Sequence, residues 1–442
     1  MSGAVEVLAD VAMRPIWRHA SEPTRELVRC SVRDWLAVAI AGAADPTVRA
    51  IRDLSPSVVD AAMSATAVGG GLVAALDAAS LNGLAGHVLD YDDTSTGPME
   101  GHPSAVLMPP LLAAAEAHDL DVGDVLGAYT AGVQVAHDLG AWVGPSHYAE
   151  GWHSTSTVGS VAAAAATAAL LGLDKQEVCE AIAIAATQVA GVKVAFGTMA
   201  KPLQVGRAGA AALGSALSAS VGATGPQSVL EDHPALGRLA GERPRDDLAG
   251  TGVGTLAVEQ TLIKWHASCH STHAAIEAWS RLAVDAREVE RVEVSVRPDL
   301  LDVCGIHQPV TPLELKFSIR GVLAMAMVGI DTADPRAYTG TTLGSDEWSS
   351  ALAKVQVHPA DLPSEWQTTV AVSEGPGRRR AVTVDLRQSP NVTEVRERLG
   401  SKFARLVPPV LGSGPADDLW KLLDDPDDLP VSELMAMTRV RP

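Results

Sequence analysis

Two histidines stand in the same kind of place. His102 lies in Gly101-His102-Pro103-Ser104 and His153 in Gly151-Trp152-His153-Ser154-Thr155, each a polar connector directly ahead of an Ala-rich apolar run. A helix N-terminus offers free N–H groups and the positive end of the helix dipole, which favours anions and lowers a nearby imidazole pKa. A neutral imidazole there suits taking or giving a proton beside a bound carboxylate. Lys201, in Phe196-Gly197-Thr198-Met199-Ala200-Lys201-Pro202, snorkels to water, binds a carboxylate, or carries a proton once burial lowers its pKa. A further cluster, Lys264-Trp265-His266-Ala267-Ser268-Cys269-His270-Ser271-Thr272-His273, pairs His266 with His270 and Cys269 with His273 at i,i+4 spacing. That spacing fits zinc, and the same residues fit an anion site that opens a helix. Asp90, Asp92 and Asp93 read as a Mg²⁺ cluster, as a solvated helix end, or as positioning groups for a catalytic side chain.

The elements that must hold these residues are mostly helical. Apolar periodicity predicts helices over Pro23–Ile40, Leu72–Leu89, Ser104–Ala117, Val122–Leu139, Thr157–Leu171, Lys175–Ala190 and Leu203–Val221. The pattern changes near Trp265. One more helix, Thr272–Leu282, leads into Val289–Val296, whose strict alternation reads as a half-buried strand. Thr311-Pro312-Leu313-Glu314 is a helix start, with Thr as N-cap, Pro first and Glu three on, and predicts a helix to about Gly329. Strands are expected at Lys354–His358, Thr368–Ser373 and Ala381–Leu386, and helices again from Asn391. The expected organisation is therefore mainly α with an α+β module. A helical domain takes 1–265 and 391–442, and the smaller domain 266–390.

Composition narrows the partners. The chain of 442 residues carries a formal charge of −19, which argues against coating nucleic acid or an anionic membrane. Only 4% of residues are aromatic, so the core must be built from small side chains on closely packed helices. The N-terminus carries Glu6 and Asp10 where a secretion signal would be basic and then apolar. Ser154–Leu173 is uncharged, yet its Ser, Thr and Gly content suits a buried helix better than a membrane span. The four cysteines are scattered and form no CxxC pair, which points to a reducing, cytoplasmic setting. Gly69-Gly70-Gly71-Leu72-Val73-Ala74 fits a dinucleotide fingerprint but lacks a clear βαβ context.

An ordered set of segments resembles the MmgE/PrpD family. They are Asn82-Gly83, then His87-Val88-Leu89-Asp90-Tyr91-Asp92-Asp93-Thr94, Gly101-His102-Pro103-Ser104, Gly151-Trp152-His153-Ser154-Thr155, Phe196–Pro202, Cys269–His273 and Glu314-Leu315-Lys316-Phe317-Ser318. The resemblance implies a large helical domain built from both ends of the chain, an inserted α+β lid domain, and a cleft between them. It implies a homodimer and no metal or other cofactor. It places catalytic positions on His102, His153, Lys201 and Asp93, with Asp93 orienting an imidazole. Lys264, His273, Thr94 and Arg320 become candidate substrate-binding residues. The implied chemistry is proton transfer at a carbon beside a carboxylate of a small di- or tricarboxylic acid. Its outcomes are dehydration or decarboxylation, with epimerisation, as in iminodisuccinate epimerase, or mere carboxylate binding as alternatives.

Two departures bear on the outcome. Gln204 follows Lys201-Pro202-Leu203 where the family commonly has His. Arg320-Gly321 stand where many dehydratases and decarboxylases carry Pro-Tyr, so an active-site phenol is missing, which argues against standard 2-methylcitrate or cis-aconitate chemistry. Arg320 then either binds an additional carboxylate or pairs on the surface. The Gly-Thr-Met-x-Lys-Pro form resembles the decarboxylase and epimerase branch.

Overall fold

The computed structural model describes residues 3–57, 63–232, 256–387 and 391–440. The expected domain boundary at 390 lies outside them. Helices dominate the first half: Glu22–Gly42, Ala75–His87, Pro103–Ala117, Val122–Val143, Ser154–Leu170, Lys175–Ala186 and Ala200–Ser220. The Ser154–Leu170 helix is buried from Ser154 to Ala168, and its small side chains let neighbouring helices close in on every side. Among the described residues, no helix is long and apolar enough to cross a membrane.

The small-residue composition has a direct geometric use. The Ala75–His87 helix crosses the Ala200–Ser220 helix so tightly that a Cβ at Gly206 would come within 2.3 Å of the Ser80 carbonyl oxygen. Only glycine fits that crossing. The approach brings the start of one helix, with Lys201, against the segment that follows the other.

The expected helix at Leu72–Leu89 begins as a strand. β1 (Ser64–Thr66) and β2 (Leu72–Ala74) form an antiparallel hairpin, so the glycine triplet is a hairpin turn rather than a phosphate loop. β3 (Thr94–Ser95) pairs with β4 (Thr261–Leu262), which ties the acidic segment to the junction carrying Lys264. The second module holds a four-stranded sheet of β5 (Arg291–Val296), β6 (Val355–Pro359), β7 (Gln367–Ser373) and β8 (Arg379–Asp385) in the order β6-β5-β7-β8. β5 runs parallel to β6 and antiparallel to β7, and β7 antiparallel to β8. Val292, Val294 and Val296 of β5 all point into the core, as the alternation predicts. The His273–Leu282 helix packs on β7 and β8. After the sheet, the Val392–Leu406 helix returns to pack on Glu22–Gly42.

The helix expected from Thr311 to Gly329 is two helices, Pro312–Lys316 and Ile319–Met327. Ser318 interrupts it. Its Oγ accepts from Gly321 N–H at 3.0 Å, capping a fresh helix, and donates to the Ile306 carbonyl at 2.6 Å.

Candidate active site

His102 and His153 are the N-cap residues of the Pro103–Ala117 and Ser154–Leu170 helices, as the sequence predicts. The two helix starts are joined directly: His102 N–H donates to Thr155 Oγ1 at 3.1 Å. Both histidines line a cavity of about 290 Å³ together with Lys201, Thr94, Phe196, Phe317 and Cys269.

The hydrogen bonds assign the imidazole tautomers. His153 Nδ1 lies 3.0 Å from Gln204 Oε1 and 3.1 Å from Ser156 Oγ. Amide oxygen only accepts, so Nδ1 carries the proton and Nε2 presents a lone pair. That Nε2 is buried and has no hydrogen-bond partner among the described residues. Burial, reinforced by the charge of Lys201, holds His153 well below the usual histidine range, so it is neutral at pH 7. His102 Nδ1 lies 2.7 Å from the Asp93 carbonyl and 3.2 Å from Asp92 Oδ2, two acceptors that fix the same tautomer. Burial brings His102 down to about 4 despite Asp92.

A third imidazole joins them. His87 Nδ1 lies 2.9 Å from Asp92 Oδ2, its ring 4.7 Å from that of His102 and 6.1 Å from that of His153. Asp92 is thus the carboxylate that orients imidazoles. Burial opposes its ionisation, but His87 and His102 hold it well below the usual carboxylate range. The expectation that Asp93 does this is corrected. Its Oδ1 accepts from Ser104 N–H at 3.0 Å and Ser104 Oγ–H at 2.7 Å, while Tyr129 donates to Oδ2 at 3.2 Å. The Asp93 side chain anchors the helix start behind His102, and its contact with the imidazole is through the main-chain carbonyl. Burial pushes the Asp93 carboxyl up to about 7.

Lys201 Nζ donates to Asp90 Oδ1 at 2.5 Å and lies about equally far from two rings, 5.1 Å from Phe196 and 5.0 Å from Phe317. Phe196 also packs edge-on against His153, with centroids 5.1 Å apart. Lys264 Nζ donates to the Asp90 carbonyl at 2.9 Å and lies 3.4 Å from its Oδ1. Burial works against ionising Asp90, yet the two ammonium groups hold it well below its ordinary value. Asp90 adopts a left-handed backbone, with φ of 49°, a strained choice for a residue with a side chain.

Two lysines that sequence spacing did not single out complete this frame. Lys316 donates to the Leu89 and Ala267 carbonyls at 2.5 and 2.9 Å. Burial brings its ammonium down to about 7. Lys402 donates to the Tyr91 and Lys264 carbonyls at 2.7 and 3.0 Å, and lies 2.6 Å from an Asp34 carboxylate oxygen. Three buried lysines therefore hold the carbonyls of Leu89, Asp90 and Tyr91 in succession.

The remaining candidates are placed differently. Thr94 borders the cavity through β3. Lys264 and His273 line a neighbouring cavity of about 200 Å³ that shares Thr94, His270 and Trp366 with the first. His273 Nε2 lies 3.2 Å from the Ser268 carbonyl, and burial holds it well below the usual histidine range. Arg320 is not among the residues that line either cavity. Its guanidinium donates to the Val355 and Leu352 carbonyls at 2.9 Å each and to the His307 carbonyl at 2.8 Å, pinning the second module to its own sheet edge. Phe317, three residues earlier, lies on the cavity wall.

The zinc spacing does not assemble a zinc site. His266 Nδ1 turns to Thr332 Oγ1 at 2.8 Å, and His273 to the Ser268 carbonyl. Among the described residues, the donors that do converge are those of His87, Asp90, Asp92 and His102, all within 4.8 Å of one another. Their own bonds compete with a cation: Asp90 is neutralised by two ammonium groups, and both imidazole Nδ1–H groups are directed at Asp92. Chemically, the arrangement offers neutral imidazole bases beside an ammonium in a small cavity.

Comparison with known proteins agrees with this architecture. The MmgE/PrpD N-terminal domain matches residues 6–244 and the MmgE/PrpD C-terminal domain residues 266–425. Similar proteins include a cis-aconitate decarboxylase from Homo sapiens, 33% identical over 165 residues, covering 35% of this chain and 33% of that protein. The cis-aconitate decarboxylase from Mus musculus is 24% identical over 317 residues, covering 66% of this chain and 62% of that protein. The cis-aconitate decarboxylase-like protein oryM from Aspergillus oryzae is 32% identical over 247 residues, covering 50% of this chain and 51% of that protein. The matched part thus spans between about a third and three fifths of these relatives' lengths. Two successive domain matches along most of the sequence, over a helical body and an α+β module, place the chain in the MmgE/PrpD family.

Proposed function

We propose that the protein is a lyase for a small di- or tricarboxylic acid, acting by proton transfer at a carbon beside a carboxylate, with decarboxylation as its first outcome. The observation that carries this reading is the unpartnered Nε2 of a neutral His153 on the wall of a cavity that also holds the Lys201 ammonium. A carbon acid beside a carboxylate is weak, so its conjugate base needs a nearby cation and directed N–H groups. Lys201 supplies the cation, and the start of the Ser154–Leu170 helix directs N–H groups at a carboxylate. His153 and His102 carry the proton. In decarboxylation the C–C bond breaks, carbon dioxide leaves, and the electron pair on carbon takes a proton that an imidazole has collected. In dehydration the same imidazole removes the proton before hydroxide departs. His87, Asp92, Asp93 and Gln204 act as positioning residues that set tautomer and orientation. The similarity to proteins named cis-aconitate decarboxylase supports the carboxy-lyase form.

The test is proton NMR in deuterated water with a panel of small acids that includes cis-aconitate. Decarboxylation is expected to release carbon dioxide and leave a product with deuterium at one carbon, and dehydration to give a new alkene without deuterium uptake. Stereoinversion with deuterium uptake and neither product would replace the lyase by an epimerase. Ligand-induced thermal shifts without turnover across the panel would leave a binding protein. Full turnover by both Lys201→Ala and His153→Ala would remove the site assignment.

A further inference from the structure

Among the described residues, the lysine and arginine side chains that line the main cavity are Lys193, Lys201 and Arg297. Two of them already face a carboxylate. Lys201 pairs with Asp90, and Arg297 Nη2 lies 2.8 Å from Asp299 Oδ2. Lys193 has no ion-pair partner among the described residues. Its Nζ donates to the Tyr148 carbonyl at 3.2 Å and stands 3.9 Å from the centre of the Tyr148 ring. An ammonium so placed keeps donor capacity unused.

The backbone fixes this placement. His153 N–H donates to the Gly191 carbonyl at 3.1 Å, Lys193 N–H donates to the Gly151 carbonyl at 2.8 Å, and Trp152 bridges Val192. Lys193 therefore sits in a set register beside the segment that delivers the His153 imidazole. Its neighbours show that this register is not the one burial alone would choose. Val192 and Val194 are 40% and 88% exposed, while the lysine between them borders the cavity. Hydrophobic burial favours the opposite arrangement, with the valines inside and the lysine in water. Burial lowers the Lys193 pKa, and the charges of Asp302, Glu100 and Asp299 work against that from beyond ion-pair distance.

Building on the carboxylic-acid lyase reading, we propose that Lys193 is a specificity-determining residue. Its ammonium takes a second carboxylate of the substrate, one that does not react, and so selects di- and tricarboxylic acids over monocarboxylic acids. Lys201 shares its charge with Asp90 and serves the reacting carboxylate beside His153. A monocarboxylic acid would fill the cavity and leave the Lys193 ammonium partly desolvated without a counter-charge, whereas a second carboxylate meets it.

Isothermal titration calorimetry on the full-length protein tests this with two probes of equal length, glutarate and its monoamide, in which a neutral amide replaces one carboxylate. A hydrogen bond to a charged group, discounted for partial exposure, corresponds to about tenfold in affinity. Wild type should therefore bind glutarate about tenfold more tightly than the monoamide. Lys193→Met should bind glutarate about tenfold more weakly than wild type and the monoamide about as well, so the preference disappears. Lys193→Arg should keep the preference. Lys193→Gln, which retains a donor for the Tyr148 carbonyl, should lose it and serves as the second neutral variant. Equal losses for both probes, an unchanged glutarate affinity in both neutral variants, or a wild type that does not prefer glutarate would overturn the proposal. Binding is read without turnover, so the two readings fail separately. Selective loss of glutarate in K193M, with no lyase product from any acid, would leave the subsite and remove the lyase. Unchanged glutarate binding in K193M and K193Q, with lyase product formed by the wild type, would remove the subsite alone.

Discussion

Gln204→Glu tests the tautomer argument most directly. In the native site the amide oxygen of Gln204 accepts the His153 Nδ1–H at 3.0 Å, and the imidazole is neutral. A carboxylate at the same place would favour the imidazolium. A hydrogen bond to a charged partner adds about 1.5–3 kcal/mol, and the lower end applies because residue 204 is half-buried. At about 1.4 kcal/mol per pKa unit, His153 should rise by about one unit. Because His153 starts well below 6.5, the change acts on the acid side: the acid limb of kcat/KM should move up by about one unit. On that limb the variant should lose roughly tenfold, and near neutral pH it should stay close to the wild type. Nitrogen-15 histidine NMR reads the tautomer and the titration without any substrate. Gln204→Leu, which leaves only Ser156 Oγ at Nδ1, should instead lower kcat by about tenfold across the profile. If His153 titrates at the same pH in Q204E and wild type, or its proton sits on Nε2, the role given to Gln204 fails.

Other consequences are equally open to measurement. Asp92→Asn removes the carboxylate that receives two imidazole N–H groups, and should cost about 10- to 100-fold in kcat with little change in KM. Lys402→Met leaves Asp34 buried without its ion-pair partner, and chemical denaturation should register a loss of about 3–5 kcal/mol. His102 sits at about 4 in the fold against 6.5 for the free side chain, so the unfolded chain binds the extra proton between these values. The associated stability is complete above pH 6.5 and is lost as pH falls towards 4, about 3 kcal/mol in all, a slope that His102→Gln should remove from denaturation curves. Arg320→Met should lower the melting temperature and leave KM unchanged, since its guanidinium holds three main-chain carbonyls; a raised KM would return it to the site.

The parts of this site that follow local rules were legible in the sequence. His102 and His153 fall at helix N-caps, and the helices that carry them begin within a few residues of the expected positions. The alternation gave a strand over Arg291–Val296 because Val292, Val294 and Val296 meet the same core face. What escaped depends on contacts between distant segments. Asp92 and Asp93 are adjacent and chemically alike, so only the turn after His87 decides which carboxylate meets the imidazoles. Spacing did not single out Lys316 or Lys402, because a bond to a remote carbonyl leaves no periodic trace. Arg320 stayed open between a carboxylate and a surface pairing because its partners, the Val355, Leu352 and His307 carbonyls, lie on separate segments.

The three lysines on the Leu89–Tyr91 carbonyls also impose an order in time. Their donors come 227, 174 and 311 residues after the carbonyls they meet. At about 5–20 residues per second, the ribosome needs roughly 15–60 s after Tyr91 before Lys402 exists at all. Throughout that interval Asp34 and the Tyr91 carbonyl, both later sealed by Lys402, have no native partner. A nascent chain therefore carries its histidines early but cannot set them until its last long helix has emerged. Fragments that stop before 402 should stay inactive, and supplying the missing helix as a separate peptide is the natural way to restore them.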